Sequence, residues 1–180
     1  MKEYLCSLKT VGLFEGIKLD ELNPMLSCID AEVKNIRRGE CILLAGDKPR
    51  YIGVVITGQF NIVRDDYWGN RLLVDTAMSG EVFGEALCCA DIQESPVTVT
   101  ASTDSVVMLL SFSRVLNTCP NSCSFHKKLI ESMLKLVANK NLQLENRMEI
   151  VRLKLVRAKV ISYLESFGCK KGDEIEIPFK

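Results

Sequence analysis

The chain has 180 residues, 47% of them hydrophobic, and its 23 basic side chains balance its 23 acidic ones. Apolar residues run along its whole length, so burial can offset the entropy of ordering and a disordered chain is excluded; the length suits one good core, or one domain plus part of a second. No run reaches the ~20 apolar residues of a membrane span, and MKEYLCSLKT at the N-terminus has no apolar signal core, so the expectation is a soluble cytoplasmic protein with its eight cysteines reduced.

The neutral total conceals an asymmetry. Residues 1–126 carry 11 Lys and Arg against 16 Asp and Glu, whereas residues 127–180 carry 12 against 7. An acidic first part and a basic last part suggest two modules, the second facing either a polyanion or simply solvent.

In chain order, the first thirty residues read as short helices, KEYLCSL and LDELNPMLSCI, the latter with Asp20 as N-terminal cap and Pro24 in or near its first turn. From about residue 30 to 110, short Val-, Ile- and Thr-rich runs alternate with turn residues: AEVKNI, CILLA, YIGVVIT, QFNIVRD, RLLVDTA, SPVTVTAS and SVVMLLSF. Short strands at regular spacing predict an all-β sandwich or barrel. DDYWGN, residues 65–70, is a hairpin tip with Gly69 and Asn70 suited to positive φ, and Trp68 is read as its packing cap.

After Phe112 the period changes. A short helix ends before Pro120, and from about 122 to 148 there is no Gly or Pro. Ile130, Leu134, Val137, Asn141, Leu144, Met148, Val151 and Leu155 are spaced alternately by four and three residues, a heptad seam. Leu129, Met133 and Leu136 lie on a neighbouring face. The pattern predicts one stripe packed on the chain's own β domain and a second, from Ile130 to Val151, that pairs with the same helix of another copy. Asn141 in the seam favours a two-stranded parallel pair. RLKLVRAKVISYLESF reads as a further helix capped by Gly168, and CKKGDEIEIPFK as a turn and a strand, so the chain looks cut at the entrance of a second domain.

The glycines complete the pattern. Gly39, Gly58, Gly69, Gly80 and Gly84 each stand where one strand gives way to the next, and the order GE…GD…ITG…GN…G..FGE…SPVTVTA…DSVV, followed by a long helix, resembles the sensor domain of the Crp/Fnr family of bacterial transcription regulators. The resemblance covers essentially the whole chain. It implies a mainly β fold, a cyclic-nucleotide-binding-type jelly roll with short N-terminal helices, over residues 1–120; a dimerisation helix over 121–149; and the start of a winged-helix DNA-binding domain over 150–180. It also implies a homodimer, a small-molecule effector, and DNA as partner of the full-length protein through a helix-turn-helix that these residues lack.

In cyclic-nucleotide-binding members of that family, backbone N–H groups at a short helix receive the phosphate, a Glu after a Gly takes the ribose, and an Arg followed by Ser or Thr grips the phosphate. Gly84 and Glu85 match. Ser95 stands where the Arg belongs, Pro96 where the small hydroxyl residue belongs, and no Lys or Arg lies between Arg71 and Arg114. Losing a charge-assisted partner of a buried phosphate costs about 2 to 5 kcal/mol, or about two to four decades of affinity. The expected effector is therefore a small apolar or thiol-reactive molecule other than cyclic AMP, or the pocket is retained only as fold. The candidate effector residues are Phe83, Gly84, Glu85, Ala86, Leu87, Cys88, Ser95, Pro96 and Val97, with Cys89 beside them and Gln143 reaching from the long helix.

Other constellations carry less. Cys88 and Cys89 are adjacent and read as packing, Cys119 and Cys123 straddle a helix start where a lowered thiol pKa is plausible, and His126, the sole histidine, reads as a surface or capping residue. No metal site, cofactor or catalytic constellation is expected. The alternatives to a regulator fragment are a stand-alone cyclic-nucleotide-binding-like module and a thiol-based redox sensor.

Overall fold

The computed structural model describes residues 4–116 and 124–166. The chain divides into two compact units, Met1–Leu136 and Val137–Lys180. In the first, the described strands form two four-stranded antiparallel sheets. One sheet has the order β1 (Glu32–Ile36), β8 (Ser105–Ser111), β3 (Tyr51–Thr57), β6 (Val82–Phe83); the other has β2 (Cys41–Leu43), β7 (Thr98–Ala101), β4 (Gln59–Asp65), β5 (Arg71–Met78). The seven strands predicted between residues 30 and 110 are all present, as a jelly roll.

The strand sequences explain the layering. Side chains alternate across a strand, so a run that is apolar at every position must be covered on both faces. In β3, Ile52, Val54 and Ile56 join one buried cluster while Val55 joins the other; in β8, Met108 and Leu110 part in the same way from Val107 and Leu109. The cluster between the sheets adds Phe60, Ala77, Phe83, Val99 and Ala101. The outer cluster gathers α1 (Leu5–Leu8), the 3-10 turn at Gly12–Phe14, α2 (Leu19–Cys28) and the start of the long helix α5 (Ser124–Arg152), through Leu13, Leu22, Leu26, Leu129 and Met133. Leu129 and Met133 therefore serve the β domain as their spacing predicts, with Leu136 packed at the cluster's edge.

Several local expectations change. Lys18, not Asp20, is the N-terminal cap of α2: its N–H donates to Glu21 Oε2 at 3.1 Å, and Lys128 of α5 donates to the same oxygen at 3.2 Å. These two bonds, the backbone one foremost, hold the Glu21 carboxyl below its usual range. Pro24 sits inside the helix rather than in its first turn. At the β4–β5 tip, Asp66 accepts hydrogen bonds from the Trp68 and Asn70 N–H groups, at 2.9 and 2.8 Å, and only Gly69 takes positive φ. Trp68 is not buried as a packing cap: it is 82% exposed, edge-on to an even more open Tyr67. His126 is buried, its ring 5.1 Å from that of Phe125, and neither ring nitrogen has a hydrogen-bond partner.

The second unit holds the end of α5 and α6 (Val156–Glu165). None of its described residues is buried. The strand read in CKKGDEIEIPFK, and Cys119, Cys123 and Cys169, lie outside the described residues. No helix among the described residues is long and apolar enough to cross a membrane.

Candidate functional site

The site begins where β6 ends. Phe83 pairs in register with Gly53 of β3, and a Cβ on Gly53 would run into the Phe83 ring, so the glycine is what lets that ring lie in the inter-sheet core. Gly84 follows with φ +80°, a left-handed conformation that costs an L-residue about 1–2 kcal/mol, and turns the chain into α3 (Glu85–Cys89). Residues 90–97 then return it to β7.

Beside Gly84 lies a cavity of about 330 Å³. Its apolar wall is Phe83, Leu109 of β8, and Ile42 and Leu43 of β2; its other wall is the β2–β3 loop, with Asp47, Lys48, Pro49 and Arg50, running into Tyr51. The loop is braced. Gly46 N–H donates to Ser95 O at 2.9 Å, Ser95 N–H donates to Asp47 O at 2.8 Å, and Ala45 N–H donates to Thr98 Oγ1 at 3.1 Å. Lys48 Nζ donates to Gln93 Oε1 at 2.9 Å.

The sequence-predicted effector residues separate. Phe83 and Gly84 line this cavity. Cys88 belongs to the outer cluster, across β3 from Phe83, and its thiol lies 3.5 Å from the Tyr51 carbonyl. Glu85 is buried, Ala86 exposed, and Leu87 half-buried. Ser95 is buried and consumed locally: its hydroxyl donates to Val97 O at 2.7 Å and accepts from Val97 N–H at 3.2 Å. Val97 is buried beside it, whereas Pro96 is exposed. Gln143 is exposed on the part of α5 that belongs to the second unit.

Cys88 and Cys89 point apart, one buried and one exposed. Burial, then the neighbouring Cys89 and Glu85, push the Cys88 thiol up to about 12, and burial with Glu85 raises Cys89 as well. Both shifts disfavour the thiolate, which is the reactive form. Among the described residues no group of three or more His, Cys, Asp and Glu could hold a metal ion.

The seam positions divide by depth. Ile130 and Val137 are half-buried, whereas Leu134, Asn141, Leu144, Met148 and Val151 are exposed. Leu134 and Val151 are open by 67% and 69%.

Lys48 and Arg50 are what sequence reading missed. They lie more than thirty residues before Gly84, and the signal that points to them is positional: two cations flank a proline, in GDKPR, at the entry to β3.

Two antiparallel sheets, a glycine-started short helix and a cavity at its head define a cyclic-nucleotide-binding-type jelly roll. Residues 33–122, half of the chain, match the cyclic nucleotide-binding domain, and the protein belongs to that family. The fold is similar to that of a cyclic nucleotide-binding domain from Methylobacillus flagellatus, at 19% identity and TM-score 0.71, covering 86% of this chain and 88% of that one. It is also similar to the sensor domain of the transcriptional regulator DNR from Pseudomonas aeruginosa, at 16% identity and TM-score 0.62, covering 86% and 96%. A third relative in fold is the Catabolite Activator Protein of Thermus thermophilus, at 22% identity and TM-score 0.61, covering 81% and 71%. No curated protein matches the chain.

Proposed function

We propose that this chain is the effector-sensing and dimerisation portion of a DNA-binding transcription regulator of the Crp/Fnr type, and that it responds to a small ligand other than cyclic AMP. The fold neighbours that are transcription regulators support the first half, with the three-part division at residues 120 and 149 and α6 as the first helix of the DNA-binding part. Ser95 carries the second half. A neutral side chain stands where a phosphate-gripping Arg is expected, and both faces of its hydroxyl are engaged by Val97. It has neither charge nor a spare donor to offer a phosphate, so the affinity a buried charge-assisted bond contributes is missing.

The seam on α5 supports a homodimer. Leu134, Leu144, Met148 and Val151 recur at heptad spacing and are all more than half exposed, so an apolar stripe is left for another helix to cover. In such a dimer an effector acts by favouring one relative setting of the two helices, and the coupling is as large as its preference between settings.

Calorimetric titration of the chain with cyclic AMP tests the ligand reading. The expected result is no binding tighter than about 100 µM, given a loss of about two to four decades from a typical small-ligand affinity. A micromolar or tighter constant would overturn it.

A further inference from the structure

We infer that the cavity at Gly84 takes a small organic anion with an apolar body, its charge held by Lys48 and Arg50 and its body laid against Phe83 and Leu109. The inference rests on the reading of the β domain as an effector sensor and names the class of molecule sensed.

The cavity's two walls differ in chemistry. Ile42, Leu43, Phe83 and Leu109 supply hydrocarbon, and the β2–β3 loop supplies two cations. At about 330 Å³ it falls at the small end of ligand pockets, which run roughly 300–1,000 Å³. Neither cation is paired with a carboxylate among the described residues. Lys48 has a neutral partner, the Gln93 amide, and the Arg50 guanidinium has no hydrogen bond or ion pair among the described residues. The one carboxylate on the same wall, Asp47, turns back on its own loop, where Oδ2 accepts from Leu44 N–H at 3.2 Å. An uncompensated pair of cations beside an apolar wall favours a molecule that is anionic at one end and greasy at the other.

The placement of the pair is built in. Pro49, buried between them, fixes its own φ, and Arg50 O accepts the Phe112 N–H at 3.1 Å. Ser95 joins the arrangement through its backbone: its N–H and C=O both pair with the loop, at Asp47 and Gly46. The residue that replaces the expected cation is thus the strut for a loop that brings two others. An arginine fork suits a carboxylate, sulfonate or phosphate by paired hydrogen bonds, and a lysine adds a point charge.

The test uses two dyes on the whole chain, anilinonaphthalene sulfonate and phenylnaphthylamine, which share a ring system and differ by the sulfonate. Fluorescence titration is expected to show the sulfonate binding about tenfold or more tightly than the neutral dye, with that advantage shrinking as salt is raised. The double variant Lys48→Ala/Arg50→Ala should lose about tenfold for the sulfonate and less than about twofold for the neutral dye. Arg64→Ala, an exposed cation on β4 outside the cavity, should change neither. Both altered positions are exposed, and an unchanged thermal melt verifies that the variants fold. Equal affinities for the two dyes, or a sulfonate affinity untouched by the double variant, overturn the inference while leaving the sensor reading in place. Saturable binding of neither dye also overturns it; the reading that the effector is not cyclic AMP is tested separately, by the calorimetric titration with cyclic AMP.

Discussion

The two units of this chain treat the same kinds of residue in opposite ways. In the first, Leu22, Leu26, Leu110 and Leu129 are wholly buried; in the second, Leu142, Leu144, Leu155 and Val160 are each more than half exposed. A strand apolar on both faces finds two layers to bury against within one chain. The seam of α5 finds no such cover among the described residues, and most helical stability comes from such packing rather than from propensity. The lesson is that the first unit holds its own core, whereas the described residues of the second leave an apolar stripe exposed, as the proposed dimer requires.

That contrast can be broken most severely at Leu144. Leu144→Glu puts a charge into the proposed seam and is expected to convert a dimer into a monomer, halving the mass in sedimentation equilibrium while the β-sheet circular dichroism persists. A mass unchanged from that of the parent chain would sink the seam assignment. The complementary change, Leu129→Ala, should leave the association state alone and cost about 2–5 kcal/mol in urea unfolding, the usual loss for a buried leucine. A cost under about 0.5 kcal/mol would mean that α5 does not anchor the first unit as its burial implies.

The smallest effect sharpens how dry that first core is. With its thiol raised to about 12 in the fold, Cys88 holds its proton where the unfolded chain, near the ordinary thiol value of about 8.5, has lost it. The unfolded state then binds fewer protons, so stability is intact below about pH 8.5 and falls as pH rises from there towards 12. Urea midpoints measured from pH 7 to 10.5 should decline in the parent chain and decline less in Cys88→Ala. Identical slopes would place Cys88 in a wetter setting than its 3% exposure indicates.

Much of the fold is legible because period and punctuation agree. YIGVVIT and QFNIVRD become β3 and β4 to the residue, and the five glycines read as strand ends all take positive φ. β6 escapes because two residues are too few to display alternation. Trp68 misleads in another way: a large aromatic at a hairpin tip suggests burial, but it is exposed, and among the described residues its ring meets only that of Tyr67, itself 95% exposed. His126 misleads in reverse, since a polar residue at a helix start suggests solvent, yet its neighbours on α5, Phe125 and Leu129, carry it inward.

The candidate site shows the same division. Gly84 and the missing cation at Ser95 are read directly, since each is one residue judged against its own position in a local pattern. That Phe83 and Cys88 face different cores, and that Lys48 and Arg50 line one cavity with Leu109, follow from pairings and packing across tens of residues. Sequence alone determined the alternation, the heptad spacing and the neutral side chain at Ser95, because those are properties of neighbours along the chain. The tertiary structure decided which cations reach the cavity, because two loops more than forty residues apart are joined there by the backbone hydrogen bonds of Ser95 to Gly46 and Asp47.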